Sequence, residues 1–184
     1  MANFPHLLIT GRPGIGKTTL IKWAVEKARG LNIPFTGFYT EEIREGGERV
    51  GFKVVSLSDG KTDVLALKGS ESRFKVGRYS VFVDRFEPIA IPAIKENTLL
   101  VIIDEIGKME LYSERFKEIV RSLLRGSHPR LLATIQEKSL RLLDSWGVRD
   151  RVELLRLEER GNKRVKGILS RWIENLRHEK DQSL

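Results

Sequence analysis

The sequence contains no cysteine, and this absence excludes several kinds of site at once. No residue of the chain can form a disulfide, act as a thiolate nucleophile or offer a thiolate to a metal. Glutamine is also scarce, with only Gln136 and Gln182 among the 184 residues. Proteins that use no disulfides are typical of reducing compartments, so we expect a cytoplasmic location.

Long hydrophobic runs are absent as well. No apolar run approaches the ~20 residues that a helix needs to cross a bilayer, and we therefore expect no membrane partner. Residues 1–5 have no basic segment followed by an apolar stretch and a small-residue cleavage site, which leads us to expect no secretion signal.

The chain is basic but has no block of like charge. Its 33 Lys and Arg residues outnumber its 25 Asp and Glu residues, which gives a formal net charge of +8. One interpretation is a surface for nucleic acid, because Lys and Arg neutralise backbone phosphates. The other is the salt-bridged surface of a thermophilic protein. Since acidic and basic residues are interleaved along the chain, we favour the second, and nucleic acid stays a possible partner that is not favoured.

The length and the hydrophobic pattern predict a single α/β domain over residues 1–184. Short apolar runs predict strands that alternate with amphipathic helices, the order typical of a mostly parallel sheet with flanking helices. One region differs, because aromatic and β-branched runs punctuated by Gly46-Gly47 and Asp59-Gly60 predict an inserted antiparallel hairpin region. The predicted strands are residues 6–10, 35–43, 49–57, 62–67, 79–83, 99–103, 130–135 and 152–157. The predicted helices are residues 17–29, 86–95, a helix from 113, 139–146 and 162–180, and residues 69–78 are predicted as a polar loop.

The most specific local motif is Gly11-Arg-Pro-Gly-Ile-Gly-Lys17-Thr18. It matches G-x-x-x-x-G-K-[ST] at every fixed position, and it lies between a predicted strand and a predicted helix. Glycines allow successive backbone N–H groups to point at phosphates, and the helix N-terminus adds further donors. In such a loop Lys17 contacts the β- and γ-phosphates and the Thr18 hydroxyl binds Mg²⁺. The motif therefore predicts a P-loop nucleotide site.

A second motif supplies acidic groups. The apolar run of residues 99–103 is followed by Asp104 and Glu105. A carboxylate at the end of a buried strand can hold Mg²⁺ opposite Thr18, so Asp104 is predicted as a metal ligand. Glu105 is predicted to orient and partly deprotonate the attacking water, a pattern typical of hydrolytic ATPases.

Gly107 completes the pattern Asp104-x-x-Gly107, in which a glycine N–H contacts the γ-phosphate in switch GTPases. The guanine-selecting Asn-Lys-x-Asp is missing, because Val165 stands where its Asp would be. We therefore expect little selection for guanine.

Weaker patterns suggest further groups. The predicted strand ending in Thr134-Ile-Gln136 could present a polar side chain beside the γ-phosphate. Arg12, Arg149 and Arg151 are candidates for stabilising transition-state charge.

Several stretches together resemble one family, the thermophilic nucleoside-triphosphate phosphohydrolases, which has a human relative known as the cancer-related nucleoside-triphosphatase. The stretches are Gly11-Arg-Pro-Gly-Ile-Gly-Lys-Thr-Thr19, Gly37-Phe-Tyr-Thr-Glu-Glu-Ile43, Val50-Gly-Phe-Lys-Val55, Val76-Gly-Arg-Tyr79 and Ile103-Asp-Glu-Ile-Gly-Lys-Met-Glu-Leu111. The resemblance covers about residues 6–175, and the last stretch is its most specific part.

The resemblance implies a RecA-like fold and slow, Mg²⁺-dependent hydrolysis of ATP, GTP, CTP and UTP. It implies Lys17 and Glu105 as catalytic residues, Thr18 and Asp104 as metal ligands, and residues 100–107 as part of the nucleotide site. The full set of expected nucleotide-binding residues is Gly11, Arg12, Pro13, Gly14, Ile15, Gly16, Lys17, Thr18, Thr19, Asp104, Glu105 and Gly107.

Two other functions stay open at the level of sequence. A nucleotide or small-metabolite kinase would need a lid over both substrates, and residues 69–78 could form one with Arg73, Lys75 and Arg78. A nucleic-acid-linked switch would use slow hydrolysis as a timer and the positive charge as its binding surface. The sequence does not specify the oligomeric state.

Overall fold

A computed structural model describes residues 4–182, and it describes side chains as far as residue 178. The predicted domain of residues 1–184 thus has both of its ends outside the described residues. The helices are α1 (Lys17–Gly30), α2 (Val83–Ala93), α3 (Glu114–Arg125), α4 (Arg141–Ser145) and α5 (Lys163–Gln182). The strands are β1 (His6–Thr10), β2 (Phe35–Glu45), β3 (Glu48–Ser56), β4 (Thr62–Lys68), β5 (Phe74–Val76), β6 (Tyr79–Val81), β7 (Leu100–Ile106), β8 (Arg130–Ile135) and β9 (Val152–Arg156).

All nine strands of residues 4–182 join one sheet in the order β5-β6-β4-β3-β2-β7-β8-β1-β9. The half from β2 to β9 is parallel. The other half, from β2 to β5, is antiparallel. The expected α/β class, with a parallel sheet, flanking helices and an inserted antiparallel region, is confirmed. The inserted strands extend the same sheet, because β2 pairs with β7 on one side and with β3 on the other.

Two expected boundaries are wrong in ways that matter for the site. Residues 69–78 are not a continuous loop, because they contain β5, which pairs with β6. The predicted strand of residues 99–103 extends to Ile106, so Asp104 and Glu105 lie inside β7. Neighbouring strands explain this, because Tyr39 of β2 pairs with Asp104 and Ile135 of β8 pairs with Ile106.

Side-chain alternation along β7 builds a core on both faces of the sheet. Leu100 and Ile102 pack with the cluster that includes α1 and α5. Val101 and Ile103 point the other way and pack with the cluster that includes α2 and α3. A strand covered on both faces must be apolar along its length, which explains the uninterrupted apolar run.

The topology brings the functional motifs to one edge of the sheet. β1, β7, β8 and β9 run parallel, so their carboxyl ends lie together. In open α/β sheets this edge is where ligands bind. Within residues 4–182, no helix is both long and apolar enough to cross a membrane.

Candidate active site

Residues 11–16 connect β1 to α1 and form the wall of the site. Ile15, only 3% exposed, fixes the loop in the core. Gly16 directly precedes the helix with φ of 106°, a left-handed conformation that side chains other than glycine rarely adopt. Because Gly16 has no side chain to cap the helix, the first N–H groups of α1 are available to an anion.

The Lys17 side chain folds back over this loop. Its Nζ donates to the Gly11 carbonyl over 2.8 Å and to the Arg12 carbonyl over 3.3 Å. The residue is 9% exposed, so the ammonium is held against the loop rather than in solvent. The structure thus places Lys17, a predicted catalytic residue, against the carbonyls of the loop in which it is expected to act.

Asp104 lies beside the start of α1 and is 1% exposed. Thr134 donates its hydroxyl hydrogen to Asp104 Oδ1 over 2.5 Å, while Asp104 Oδ2 has no hydrogen-bond partner among the described residues. Burial raises the pKa of Asp104, and Thr134, the Thr18 hydroxyl and the Lys17 charge oppose that rise. The structure therefore brings Thr18 and Asp104 together, as predicted, and shows that Thr134 positions the carboxylate.

Glu105 follows Asp104 across a cis peptide bond and has a different partner. Gln136 Nε2 donates to Glu105 Oε1 over 2.8 Å, and the Lys108 backbone N–H donates to Gln136 Oε1 over 3.1 Å. Burial raises the pKa of Glu105, and the nearby charge of Asp104 raises it further. The predicted polar side chain at the end of β8 is thus placed against the second carboxylate.

Gly107 lies in the turn that follows β7, in very close contact with two side chains. A Cβ at this position would lie 2.6 Å from Gln136 Nε2 and 2.9 Å from Glu110 Oε2. Backbone space at Gly107 is therefore needed to bring Gln136 up to Glu105. This steric role is additional to the phosphate contact expected from the sequence.

The site also contains a third acidic residue that the motifs did not single out. Glu110 is 4% exposed, and its Oε2 has no hydrogen-bond partner among the described residues. Burial raises the pKa of Glu110 well above its ordinary value, and the charges of Glu105 and Asp104 add to the rise. Glu110 lies in the stretch of residues 103–111 that carries the family resemblance, but nothing in that stretch indicated a role for it.

The structure separates the three arginine candidates. Arg12 is exposed on the loop itself. Arg149 and Arg151 precede β9 and therefore lie at the opposite edge of the sheet, where Arg151 donates to the carbonyls of Leu124 and Gly126. Their proposed role beside the phosphates is wrong, because a residue before a parallel strand cannot reach the edge where the strand ends.

Arg160, which no sequence motif indicated, lies at the edge of the sheet where the P-loop is found. It follows β9 and donates through Nη2 to the Gly14 carbonyl over 3.0 Å. Next to it, a cavity of about 440 Å³ lies between α1 and the start of α5. The residues that line the cavity are Gly14, Ile15, Gly16, Thr19, Leu20, Trp23, Leu157, Arg160, Gly161, Asn162 and Lys166.

Two neighbouring oxygen groups could hold a metal, the Thr18 hydroxyl and the Asp104 carboxylate. Residues 4–182 contain no group of three or more His, Cys, Asp or Glu side chains arranged to hold a metal by themselves. Mg²⁺ commonly binds through one or two protein groups together with substrate phosphates and water, so a sparse oxygen set suits that ion.

Comparison with known proteins gives one family. A family model described as NTPase matches residues 6–169. The chain is 41% identical over 168 residues to the nucleoside-triphosphatase THEP1 of Thermotoga sp. strain RQ2, which covers 89% of this chain and 93% of the relative. It is 42% identical over 142 residues to the human cancer-related nucleoside-triphosphatase, which covers 71% of this chain and 74% of the relative.

The same similarity is found among solved structures. The crystal structure of THEP1 from the hyperthermophile Aquifex aeolicus superposes with a TM-score of 0.77 at 34% identity. The match covers 93% of this chain and 98% of that one. The fold class inferred from the sequence is therefore the fold of these relatives.

Proposed function

The chain belongs to the NTPase family of nucleoside-triphosphatases, and from this premise we propose that it hydrolyses ATP, GTP, CTP and UTP to the diphosphate and phosphate with Mg²⁺. One observation carries the proposal. The buried Asp104 carboxylate faces Thr18 at the start of α1, next to a loop whose lysine is already held against it. The Lys17 ammonium and the N–H groups at the start of α1, which would bind phosphates, thus lie close to Thr18 and Asp104, which would bind the metal. Phosphoryl transfer requires both sets of groups around the same phosphates.

The chemistry of the donors supports Mg²⁺ as the cofactor. Asp104 Oδ2 is buried without a hydrogen-bond partner among the described residues, and an unpaired buried carboxylate oxygen is costly unless a ligand completes it. Carboxylate and hydroxyl oxygens are hard donors that suit this ion. Thr18 and Asp104 would hold it, and when bound it would neutralise charge on the phosphates.

Within this proposal the remaining side chains have separate roles. The Lys17 ammonium stabilises negative charge on the β- and γ-phosphates, and the N–H groups of residues 14–19 hold the phosphate oxygens. Glu105 orients the attacking water and accepts its proton. Gln136 fixes the carboxylate through its amide, which makes Gln136 a positioning residue.

We also propose that the identity of the base has little effect on hydrolysis. Asn162 and Lys163 are not followed by the Asp that guanine selection needs, since Val165 takes that place and is 5% exposed in the core. The sequence motifs mostly indicate groups that bind phosphates, which all four substrates share. The single sheet of residues 4–182 supports the further proposal that residues 1–184 act as one domain.

Release of inorganic phosphate from each nucleotide tests the proposal directly. We expect ATP, GTP, CTP and UTP to be hydrolysed with kcat/KM values within about tenfold of one another, which corresponds to ~1.4 kcal/mol. Chelation of Mg²⁺ should abolish release, and restoring the metal should recover it.

Two outcomes would contradict parts of the account. A hundredfold preference for one base would show a specific base pocket. Formation of the diphosphate only with an added acceptor, with the phosphoryl group recovered on that acceptor and not as free phosphate, would indicate a kinase. Addition of DNA or RNA at moderate salt serves as a control, and we expect no stimulation of turnover.

A further inference from the structure

A cavity of about 440 Å³ adjoins the P-loop on the side away from Asp104. Its volume falls within the range of small-molecule pockets, roughly 300–1,000 Å³. The walls are the outer face of the first two turns of α1 and the segment from Leu157 to Lys166. The proposed hydrolysis uses none of the side chains in this cavity beyond those of the loop.

Helix geometry places this cavity where the rest of a nucleotide must go. Successive residues of an α-helix point about 100° apart. Thr18 faces Asp104, while Thr19 and Trp23, one turn apart on another side of α1, line the cavity. A triphosphate bound at the helix start with its terminal phosphate near Asp104 therefore has room for its other end beside Thr19.

The cavity contains a flat aromatic wall. The Trp23 indole is partly buried, and it packs at the edge of the core with Leu20. Lys166 Nζ lies 4.6 Å from the centroid of the ring, and Lys27 Nζ lies 6.0 Å from the same centroid, so lysine side chains cover the indole where it leaves the core. Lys166 itself is exposed, so a planar group can replace its ammonium on the ring at little cost. Base–aromatic stacking tolerates any base, because every base has a π-face.

We propose that this cavity is the nucleoside subsite and that Trp23 holds the base by stacking. The inference rests on the proposed function and specifies how the substrate is held beyond its phosphates. The ligand class is a nucleoside diphosphate or triphosphate with any of the common bases.

The polar groups around the cavity explain why the base would not be selected. Reading a base edge requires donors and acceptors at fixed positions. Asn162 Oδ1 already accepts from the Val165 N–H over 3.0 Å, and Nη2 of Arg160 donates to the Gly14 carbonyl. What these side chains still offer a base is mainly N–H donors, and every common base has acceptors for them. Lys166 offers only a mobile donor. The stacking face is therefore the strongest feature available to a base, and it favours purines over pyrimidines only through ring size.

Binding of nucleoside diphosphates, compared with binding of inorganic pyrophosphate, which has no base, provides a test that separates base from phosphate. We would measure the Kd of ADP, UDP and inorganic pyrophosphate with Mg²⁺ by calorimetry, for the wild type and for Trp23→Ala and Trp23→Phe. For Trp23→Ala we expect ADP and UDP to bind about tenfold more weakly and pyrophosphate to bind within twofold of the wild type. Trp23→Phe keeps a flat ring and should restore ADP binding to within about threefold. Trp146→Phe, at the end of α4 away from the cavity, is the matched control and should bind like the wild type.

The possible results are distinguishable. Unchanged ADP affinity in Trp23→Ala would overturn the proposed subsite. Equal losses for ADP and pyrophosphate would also overturn it, because Trp23 would then act by shaping the P-loop. Failure of the wild type to bind either ligand would overturn the proposed function together with the subsite. As an independent measurement, ADP should quench tryptophan fluorescence in the wild type and in Trp146→Phe but not in Trp23→Phe.

Discussion

Gln136 Nε2 donates a hydrogen bond to Glu105 Oε1 over 2.8 Å, while its own Oε1 accepts from the Lys108 N–H over 3.1 Å. The second bond fixes which end of the amide faces the carboxylate. Glu105 is therefore held by a side chain that is itself oriented by the backbone of the turn after β7. We therefore expect a change at Gln136 to affect the orientation of Glu105 more than the binding of nucleotide.

The first prediction follows from that arrangement. Gln136→Leu keeps the approximate size of the side chain but removes both hydrogen bonds. We expect kcat to fall about tenfold, since a loosely held base is less effective, while the Kd for nucleotide stays within about twofold. Steady-state hydrolysis and ADP binding on the same preparation check this. A larger loss in binding than in turnover would show that Gln136 acts on the nucleotide site and not on Glu105.

Lys17→Ala should lose most hydrolysis, because no other side chain is expected to replace its positive charge on the β- and γ-phosphates. The backbone N–H groups remain, so some nucleotide binding should persist. Phosphate release measures hydrolysis, an ADP titration measures the remaining binding, and a thermal unfolding curve shows whether the variant is folded. A folded variant with near-wild-type turnover would refute the assignment of the P-loop.

Thr18→Ala and Asp104→Asn should change the dependence on Mg²⁺. Each removes one of the two proposed protein ligands, so the Mg²⁺ concentration for half-maximal hydrolysis should rise by about tenfold or more. Thr134→Val is a useful companion, since it removes only the hydrogen bond to Asp104 Oδ1, and a smaller rise is expected. Titration of Mg²⁺ at saturating nucleotide measures all three. An unchanged titration curve in Asp104→Asn would place the metal elsewhere.

His6 gives a prediction for stability rather than activity. The Leu131 N–H donates to His6 Nδ1 over 3.1 Å, so Nε2 carries the hydrogen and donates to the Gly126 carbonyl over 3.1 Å. Burial lowers the pKa of His6 to about 4. Between pH 6.5 and about 4 the unfolded chain binds a proton that the folded chain does not, so stability falls as the pH falls through this range. The contribution is about 3 kcal/mol.

Unfolding curves of the wild type and His6→Asn across this pH range check the effect. The variant should be less stable at pH 7, and its disadvantage should shrink steadily towards pH 4. A constant difference between the two proteins would contradict the assigned state of His6.

The sequence predicts those features that have a local cause. The predicted strand of residues 6–10 and the helix that begins at Lys17 are confirmed, because the apolar residues 7–9 and Gly16 indicate them within a few positions of the chain. The parallel core is predicted by uninterrupted apolar runs, because a strand needs apolar residues on both faces only when both faces of its sheet are covered. The antiparallel region follows from glycine pairs between β-branched segments.

Features that depend on pairing across the chain could not be predicted in the same way. β7 continues through Asp104 and Glu105 because β2 and β8 pair beside it, and no local signal marks that extension. Arg149 and Arg151 are candidates from their residue type alone. The edge of the sheet at which they lie depends on the direction of β9, which their residue type does not indicate. Trp23 and Glu110 appear in hydrophobic or acidic patterns that suggest a core or a surface, and only the packed structure places them beside the site.

The central claim is that Asp104 serves the metal and binding while Glu105 serves the attacking water. The most direct test is single-turnover hydrolysis by Glu105→Gln, with the nucleotide Kd measured across an Mg²⁺ titration. The substitution keeps size and hydrogen bonding but removes the basic carboxylate. We predict an unchanged Kd, an unchanged Mg²⁺ midpoint and a rate lower by about 10²-fold or more, the usual range for loss of a general base. Hydrolysis at the wild-type rate would contradict the account, because the attacking water would then be activated by another group.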